Sequence, residues 1–477
     1  MVAFFHSKFY SIMTKDLAVV LDCGATNIRA IILDKEGHVV AKYAVNNNSR
    51  PDPSNENYTI WDIEEIMDKL SYCSQKVIEL VDHKRIASIG ISTFGVDGAF
   101  VGEDGQLLSP VISWKCQRTI PVLDTIDKYF SKEDLLMKTG VGAFSFNTIN
   151  KMIWYKENQA ETILEAKHWL FISSLIGYKL TDQFYTDHTM AGTAQLCNLV
   201  SQDFDQEILD KIGLDRDLFP EMKYAGEKVG ELNQSGAQLL GLPEGIPVKS
   251  IGHDTQFALF GAGVDLTNAV LSSGTWEILM VQAKEVNLKP ELAKHGITVE
   301  FDPAKGQYNI GLQWMASANI EWVKNTFFAD LADDVVYQTM ISEAMKSDLE
   351  TDVYQPKLQP DQTINISSLE LSSNRGDIFK SCMQSLSKQL KKAVSILEEV
   401  GNFKVEQITV VGGGAKNDYW NQLKSNQTNL KIQTIQEKET TVLGASFFLF
   451  DETAETIRSN YQYSFTNFVP QDDTILA

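Results

Sequence analysis

The sequence has few of the residues that build disulfide frameworks or protein-bound metal clusters. Its five cysteines are scattered and odd in number and show no CxxC spacing, and its seven histidines show no ligand spacing. A disulfide scaffold and a zinc site are therefore disfavoured. No apolar run approaches the roughly 20 residues of a membrane span, and residues 1–15 lack the apolar stretch of a signal peptide. These absences favour a reducing, cytoplasmic setting.

Positive charge is also scarce. Lysine and arginine number 42 against 63 acidic residues, which gives a formal net charge of −21. Such a surface repels polyphosphate backbones and anionic lipid, so nucleic acid and membrane partners are disfavoured. An anionic nucleotide would need a local binding device.

Size and hydrophobic patterning predict a duplicated α/β fold. A chain of 477 residues is too long for one hydrophobic core, so two large domains are expected. Apolar runs between glycine turns predict strands, and helical periodicity predicts an amphipathic helix after the third strand. The first unit reads β-β-β-α-β, as a ribonuclease-H-like domain requires: 17–22, 28–34, 39–45, 62–81 and 86–92. A second unit repeats the glycine turns, with a long helix: 248–252, 269–273, 276–282, 377–399 and 407–411.

The sharpest local motif is LDCGATNIR, residues 21–29. A strand delivers Asp22 to its end, and Gly24 permits a tight turn whose N–H groups can face an anion. Thr26 and Asn27 add side-chain donors, and Asp22 can hold a magnesium ion through water. The alternative is an ordinary hairpin turn, for which the same residue types are usual.

A second motif is IGHDTQFALFGAG, residues 251–263. Asp254 follows a strand directly, between His253 and Thr255, where a carboxylate facing a cleft can take a proton from a hydroxyl. The alternative is a helix N-cap, a position at which Asp is favoured.

Two further glycine turns lie in the second half, SSGTWEI at 272–278 and VGGGAKN at 411–417. The first offers another phosphate-facing turn. The second lets a flat base or a ribose approach closely, because no Cβ intervenes. Each is weak alone, since glycine turns usually serve geometry only.

Polar clusters at 93–98, 113–119 and 146–148 are candidates for the other side of a cleft. Asp97 can accept hydrogen bonds from sugar hydroxyls, Trp114 can form an apolar wall, and Arg118 can orient a carbonyl or hydroxyl. The alternative for these residues is a structural salt bridge or loop anchor.

Together these segments resemble the FGGY carbohydrate kinases of the actin/hexokinase-like superfamily. The resemblance covers nearly all of residues 15–455. It rests on LDCGATNIRAI, TFGVDGA, ISWKCQRT, GVGAFSFNT, WLFISSLI, TMAGT, GHDTQFALFGAG, LSSGTWEILMV and VVGGGAKN. Ala25 departs from the threonine of many relatives, which leaves Thr26 to supply a hydroxyl.

The resemblance implies two ribonuclease-H-like domains around a central cleft, with ATP and Mg²⁺ as cofactors. The implied division is an extension at 1–15, a sugar and phosphate domain at 16–249, a nucleotide domain at 250–455 and a tail at 456–477. Asp254 would be the catalytic base. Asp97, Trp114, Arg118, His253 and Thr255 would bind the sugar, and Asp22 and Asp254 would hold the metal. The nucleotide would contact Asp22, Gly24, Ala25, Thr26, Asn27, Gly274, Thr275, Gly412, Gly413, Gly414 and Asn417.

The implied activity is phosphorylation of L-fuculose at its 1-hydroxyl by ATP, with small molecules as the partners and the oligomeric state open, a homodimer included. A kinase of L-rhamnulose, D-ribulose or D-xylulose is the alternative within the family. If the protein is not a sugar kinase, the alternatives are a kinase-derived sugar sensor and an actin-like ATPase. A sensor would need a DNA-binding appendage, and none is recognisable in the sequence.

Overall fold

The computed structural model describes residues 15–348, 374–435 and 439–471, together with two short strands between the first two ranges. Most of the expected N-terminal extension and the last six residues of the expected tail lie outside this described part. Within the described residues, every helix is too short or too polar to cross a lipid bilayer.

The strands, in chain order, divide between two large sheets and several small ones. Those of the first half are β1 Leu17–Cys23, β2 Asn27–Asp34, β3 Val39–Asn46, β4 Arg50–Asp52, β5 Asn55–Trp61, β6 Ile86–Thr93, β7 Gly98–Val101, β8 Val111–Ile112, β9 His168–Phe171, β10 Thr186–Asp187, β11 Cys197–Asn198, β12 Asp203–Phe204, β13 Met222–Lys223, β14 Lys228–Glu231 and β15 Pro247–His253. Those of the second half are β16 Asn268–Ser273, β17 Trp276–Ala283, β18 Thr298–Phe301, β19 Tyr308–Met315, β20 Lys357–Leu358, β21 Ile364–Asn365, β22 Gln407–Val411, β23 Lys431–Ile435 and β24 Phe465–Phe468.

The described residues form the following α-helices, several of which pack against the two large sheets. They are α1 Ile63–Ile78, α2 Ile120–Asp124, α3 Lys132–Thr139, α4 Thr148–Asn158, α5 Ala160–Glu165, α6 Ile172–Thr181, α7 His188–Ala191, α8 Gln206–Ile212, α9 Gln234–Leu240, α10 Asp254–Gly261, α11 Ser317–Phe327, α12 Val336–Met345, α13 Arg375–Gly401, α14 Asp418–Thr428, α15 Thr440–Ser446 and α16 Ala454–Asn460.

The two large sheets share one connectivity. The first has six strands in the order β14-β15-β6-β1-β2-β3, with β1 antiparallel to β2 and parallel to β6. The second has seven strands in the order β18-β19-β17-β16-β22-β23-β24, with β16 antiparallel to β17 and parallel to β22. A strand that is antiparallel to the next one in the chain and parallel to a later one thus occurs at the centre of both sheets, although β18 is inserted in the second, and the predicted α/β fold of two ribonuclease-H-like units is confirmed.

Helices α1 and α13 form where helical periodicity predicts them. The carboxylate of Asp62 accepts hydrogen bonds from the N–H groups of Glu64 and Glu65 and so caps α1. The predicted apolar stripe of α13 is buried throughout, and the helix ends before Asn402, which adopts the left-handed conformation. The polar stretch at 50–61, for which no strand was predicted, forms β4 and β5 in a three-stranded sheet with β8.

Strand β15 belongs to the first sheet, because it pairs in parallel with β6. The expected boundary between residues 249 and 250 falls inside this strand, and the domain division remains a prediction. The chain also returns to the first sheet near its end, since Val442 and Leu443 of α15 pack with Val20 and Ile31 in one buried cluster. Strand β24, within the expected tail, is an edge of the second sheet.

Helices α10 and α15 cross at two glycines. A Cβ on Gly444 would lie 2.0 Å from the carbonyl oxygen of Phe257, and one on Gly261 would lie 2.0 Å from that of Thr440. Neither position has room for a methyl group. The crossing matters for function because α10 begins with Asp254.

We expect Gly444→Ala to destabilise the fold by about 2 kcal/mol, since the methyl group must push two packed helices apart. The measurement is urea unfolding followed by circular dichroism. Gly102→Ala is the matched control, because its Cβ would meet the end of the flexible Asp104 side chain, at 3.1 Å. Equal stability of the two variants would contradict the close crossing.

Candidate functional site

The carboxyl ends of three adjacent parallel strands meet at one edge of the first sheet. Asp22 pairs in register with Ser92, and Ser92 pairs with Gly252. Asp254 is the first residue after β15. The structure therefore brings Asp22 and Asp254 to the same edge with one strand between their strands. They come from one sheet and not from opposing sheets, because β15 pairs with β6 rather than opening the second unit.

Asp22 is buried and held by an arginine. Its side chain is 3% exposed, and Oδ2 accepts a hydrogen bond from Nε of Arg29 at 2.8 Å and another from Nη2. Burial raises the pKa of Asp22, while the charge of Arg29 and its hydrogen bonds oppose that rise. Arg29 also pairs with Glu439, which binds Lys42 at 2.8 Å. Arg29 was missed as a site residue, although a charge inside the apolar run IRAIILD was a usable signal.

Asp254 remains accessible, with 28% of its side chain exposed. Its Oδ1 accepts from the N–H of Thr255 at 2.6 Å and from the Thr255 hydroxyl at 3.3 Å. Burial, and then the negative charge of Asp22, raise the pKa of Asp254 to about 7. The alternative predicted for Asp254 was a helix N-cap. The N-cap residue of α10 is instead His253, whose side chain makes no capping hydrogen bond.

The turn from β1 to β2 is tied internally. The N–H of Gly24 donates to the carbonyl of Asn27 at 2.9 Å, so this donor does not face outward. Asn47 fixes the turn from outside, through hydrogen bonds to the carbonyls of Gly24 and Thr26. Ala25 is half-buried, whereas the side chains of Thr26 and Asn27 are exposed beside Asp22.

The glycine turns of the second half lie together at the matching edge of the second sheet. Ser272 pairs in register with Val411. A Cβ on Gly412 would lie 2.8 Å from the carbonyl oxygen of Ser273, and one on Gly414 would lie 2.0 Å from the Ser273 hydroxyl oxygen. These two glycines therefore permit contact between the two turns.

Other residues of these turns differ in how open they are. Gly413 and Thr275 are exposed, and Gly274 is half-buried. Asn417 caps α14, since its Oδ1 accepts from the N–H of Trp420 at 3.0 Å. Asn417 thus has a structural role whatever else it contacts.

Asp97 is buried at the centre of a polar network. Its Oδ1 accepts from Nζ of Lys151 at 2.6 Å, and its Oδ2 accepts from the Trp61 indole at 2.7 Å and from the N–H of Trp114 at 2.9 Å. Lys151 also donates to the carbonyl of Phe146. Asp97 and Lys151 thus join the loop of Trp114 to that of Phe146. Trp114 is 37% exposed and meets Phe146 edge to face. Lys151 was also missed by sequence reasoning.

Arg118 has the contacts of a structural salt bridge, which was the alternative to sugar binding. Its guanidinium is buried, bonds Oδ2 of Asp52 at 2.6 Å, and stacks on the rings of Tyr58 and Trp154. These contacts hold the guanidinium in a structural ion pair, and sugar binding by Arg118 remains a prediction.

His253 and Thr255 flank Asp254. Nε2 of His253 lies 3.7 Å from Oδ1 of Asp254, and its Nδ1 lies 3.6 Å from Oε2 of Glu300. Burial lowers the pKa of His253 to about 4 and raises that of Glu300 to about 7. Glu300 was not identified from the sequence, although it too is a charge within an apolar strand.

The described residues contain no group of three or more His, Cys, Asp or Glu side chains that converges on a metal position. A cation at the first sheet edge would thus have only Asp22 and Asp254 as acidic ligands. Mg²⁺ is commonly held by one or two carboxylates, with water and phosphate oxygens completing its shell. Asp22 and Asp254, with the pKa of Asp254 raised by burial and then by the charge of Asp22, fit such an ion.

Comparisons with known proteins agree with the two-unit fold. The family model for the N-terminal domain of FGGY carbohydrate kinases matches residues 17–261, and that for the C-terminal domain matches residues 269–449. The L-fuculokinase of Escherichia coli O157:H7 is 41% identical over 97% of this chain and 98% of its own. The rhamnulokinase of Bacteroides thetaiotaomicron is 27% identical over 74% of this chain and 75% of its own. A gluconate kinase structure from Lactobacillus acidophilus superposes with a TM-score of 0.85 at 20% identity, over 95% of this chain and 94% of its own.

The raised pKa of Asp254 predicts a pH-dependent cost in stability. Between about pH 4 and pH 7 the folded protein keeps on Asp254 a proton that the unfolded chain releases, so the contribution of Asp254 to stability falls as the pH rises through this window. Asp254→Asn should therefore raise the melting temperature at pH 8, and the gain should shrink toward pH 4. Differential scanning calorimetry measures this, with the exposed Asp124→Asn as control. A variant no more stable than wild type at pH 8 would contradict the assignment.

Proposed function

The chain belongs to the FGGY family of carbohydrate kinases, and we propose that it transfers the γ-phosphoryl group of ATP to the 1-hydroxyl of L-fuculose. The substrate is proposed from the degree of similarity. Identity to L-fuculokinases is 41% over almost the whole chain, against 27% over about three quarters of it to a rhamnulokinase. The products would be L-fuculose 1-phosphate and ADP. A reaction that uses ATP on a small sugar belongs in the cytoplasm.

The observation on which the mechanism rests is that Asp22 and Asp254 lie at the same sheet edge. A general base works best when its pKa lies near the operating pH. Asp254 meets that condition with a pKa of about 7 and an accessible side chain. We propose that Asp254 accepts the proton of the 1-hydroxyl.

Asp22 takes a different role because Arg29 holds it. The guanidinium fixes the direction of the carboxylate and favours its ionised form. We therefore assign Asp22, with Asp254 beside it, to hold a magnesium ion through water. Such an ion, when bound, would neutralise phosphate charge during transfer.

The remaining site residues are assigned by accessibility. Thr26 and Asn27 on the first sheet edge, and Thr275 and Gly413 on the second, are exposed and are proposed to face the nucleotide. On the sugar side, Trp114, His253 and Thr255 are proposed to contact the substrate. Asp97 has three donors on its carboxylate already, so we propose that it orients the Trp114 loop.

Two sheets that each present one edge suit a cleft that closes on the sugar. Closure would exclude water from the transferring phosphoryl group and limit hydrolysis of ATP. The protein would then act by positioning and charge neutralisation, since phosphoryl transfer needs little covalent help.

A coupled assay of ADP release across L-fuculose, L-rhamnulose, D-ribulose and D-xylulose tests the substrate. We expect the highest kcat/KM with L-fuculose. Asp254→Asn should lower kcat by roughly 100-fold or more, because an amide cannot accept the proton. A higher kcat/KM for another ketose would overturn the substrate but not the kinase. Unchanged sugar-dependent turnover in Asp254→Asn would overturn the base.

A further inference from the structure

The imidazole of His253 lies between two carboxylates that come from different sheets. Asp254 faces Nε2 from the first sheet edge, and Glu300 of β18 in the second sheet faces Nδ1. Only 13% of the His253 side chain and 15% of the Glu300 side chain are exposed. The contact therefore links the two units right beside the proposed base.

Neighbouring side chains present Glu300 as a hydrogen-bond acceptor. The Gln256 amide donates to Oε2, and the Thr298 hydroxyl donates to Oε1 at 3.3 Å. Asn309 fixes the Gln256 amide in turn, by donating to its oxygen at 2.6 Å. A carboxylate that receives donors on both oxygens is suited to accept a further one from an imidazole N–H.

The His253 ring has little freedom to turn away. A Cβ on Gly95 would lie 2.7 Å from Nε2, so the ring packs directly on that backbone. Its Nδ1 is buried, and within the described structure it has no hydrogen-bond partner. Glu300 is 3.6 Å away, so a movement of less than 1 Å during closure would bring it within bonding distance.

We propose that Glu300 is a positioning residue, which keeps the proton of His253 on Nδ1 and leaves the Nε2 lone pair facing Asp254. The partner of one imidazole nitrogen sets which nitrogen carries the proton. Without Glu300, Asp254 is the carboxylate that remains beside the ring, and it would draw the proton to Nε2.

This tautomer would help the proposed base. Once Asp254 has taken the sugar proton, its carboxyl group can donate a hydrogen bond to the Nε2 lone pair. That bond stabilises the product of proton transfer, so Glu300 acts through His253 without touching the substrate. The catalytic consequence rests on the proposed function, whereas the tautomer itself can be measured without turnover.

The direct test is nitrogen-15 NMR of the full chain labelled at its histidine rings, recorded at pH 8, where Glu300 is ionised. The His253 signals are identified by their loss in His253→Gln. In the wild type we expect a protonated Nδ1 and an unprotonated Nε2, and in Glu300→Ala the reverse. Glu300→Gln, whose amide oxygen can still accept from Nδ1–H, should retain the wild-type tautomer. A wild-type proton on Nε2, or the same tautomer in Glu300→Ala, would overturn the proposal.

Steady-state kinetics supplies the second readout. Glu300→Ala should lower kcat roughly 10-fold with the KM for ATP unchanged, and Glu300→Gln should recover most of the loss. Glu399→Ala, a surface carboxylate of the same unit that pairs with Lys289, is the control and should match wild type. An equal kcat in Glu300→Ala and wild type would remove the link to catalysis. Absence of turnover in every variant and wild type would instead count against the proposed substrate, and the NMR result would still decide the tautomer.

Discussion

Two carboxylates placed at one sheet edge constrain the whole site. Asp22 and Asp254 lie close enough at this edge that the negative charge of Asp22 raises the cost of charge on Asp254. The protein resolves this asymmetrically. Arg29 donates hydrogen bonds to Asp22, whereas the hydrogen-bond donors to Asp254 among the described residues are the N–H and hydroxyl of Thr255, and burial and the charge of Asp22 raise its pKa to about 7. This difference in hydrogen-bond donors is the basis on which we propose a metal-holding role for Asp22 and a proton-accepting role for Asp254.

Backbone geometry places the two aspartates at an edge of the first sheet and the two glycine turns at the corresponding edge of the second sheet. Parallel pairing of β1, β6 and β15 aligns their carboxyl ends, and parallel pairing of β16 with β22 does the same for the two glycine turns. Side chains are excluded where elements approach most closely, as at Gly412 and Gly414 against Ser273. The positions left exposed, such as Thr275 and Gly413, are those available to a ligand.

Local patterns in the sequence predicted the elements well but not their long-range partners. Continuous apolar runs identified strands such as β1 and β2, and the stripe of α13 identified its buried face, because both signals are carried by neighbouring residues. The position of β15 was not accessible in this way. Its pairing with β6 depends on contacts between residues more than 150 positions apart in sequence. Because of this pairing, Asp254 lies at the same sheet as Asp22.

Side chains also divide into those that local sequence identifies and those that only their distant partners identify. Asp22 and Asp254 were identifiable because each ends an apolar strand. The ion pair of Arg118 with Asp52, and the contact of Glu300 with His253, join residues far apart in sequence whose partners no local motif specifies. Glu300, whose proposed role comes from such a distant partner, emerged only from the structure.

Asp254 shares its electrostatic environment with Asp22 and, as we propose, with a magnesium ion held between them. Calorimetric titration with MgADP at pH 7, in two buffers of different ionisation enthalpy, measures the protons released on binding. A cation beside Asp254 should lower its pKa from about 7 and expel its proton, so the wild type should release more protons than Asp254→Asn. Equal proton release by the two proteins, both binding MgADP, would contradict the claim.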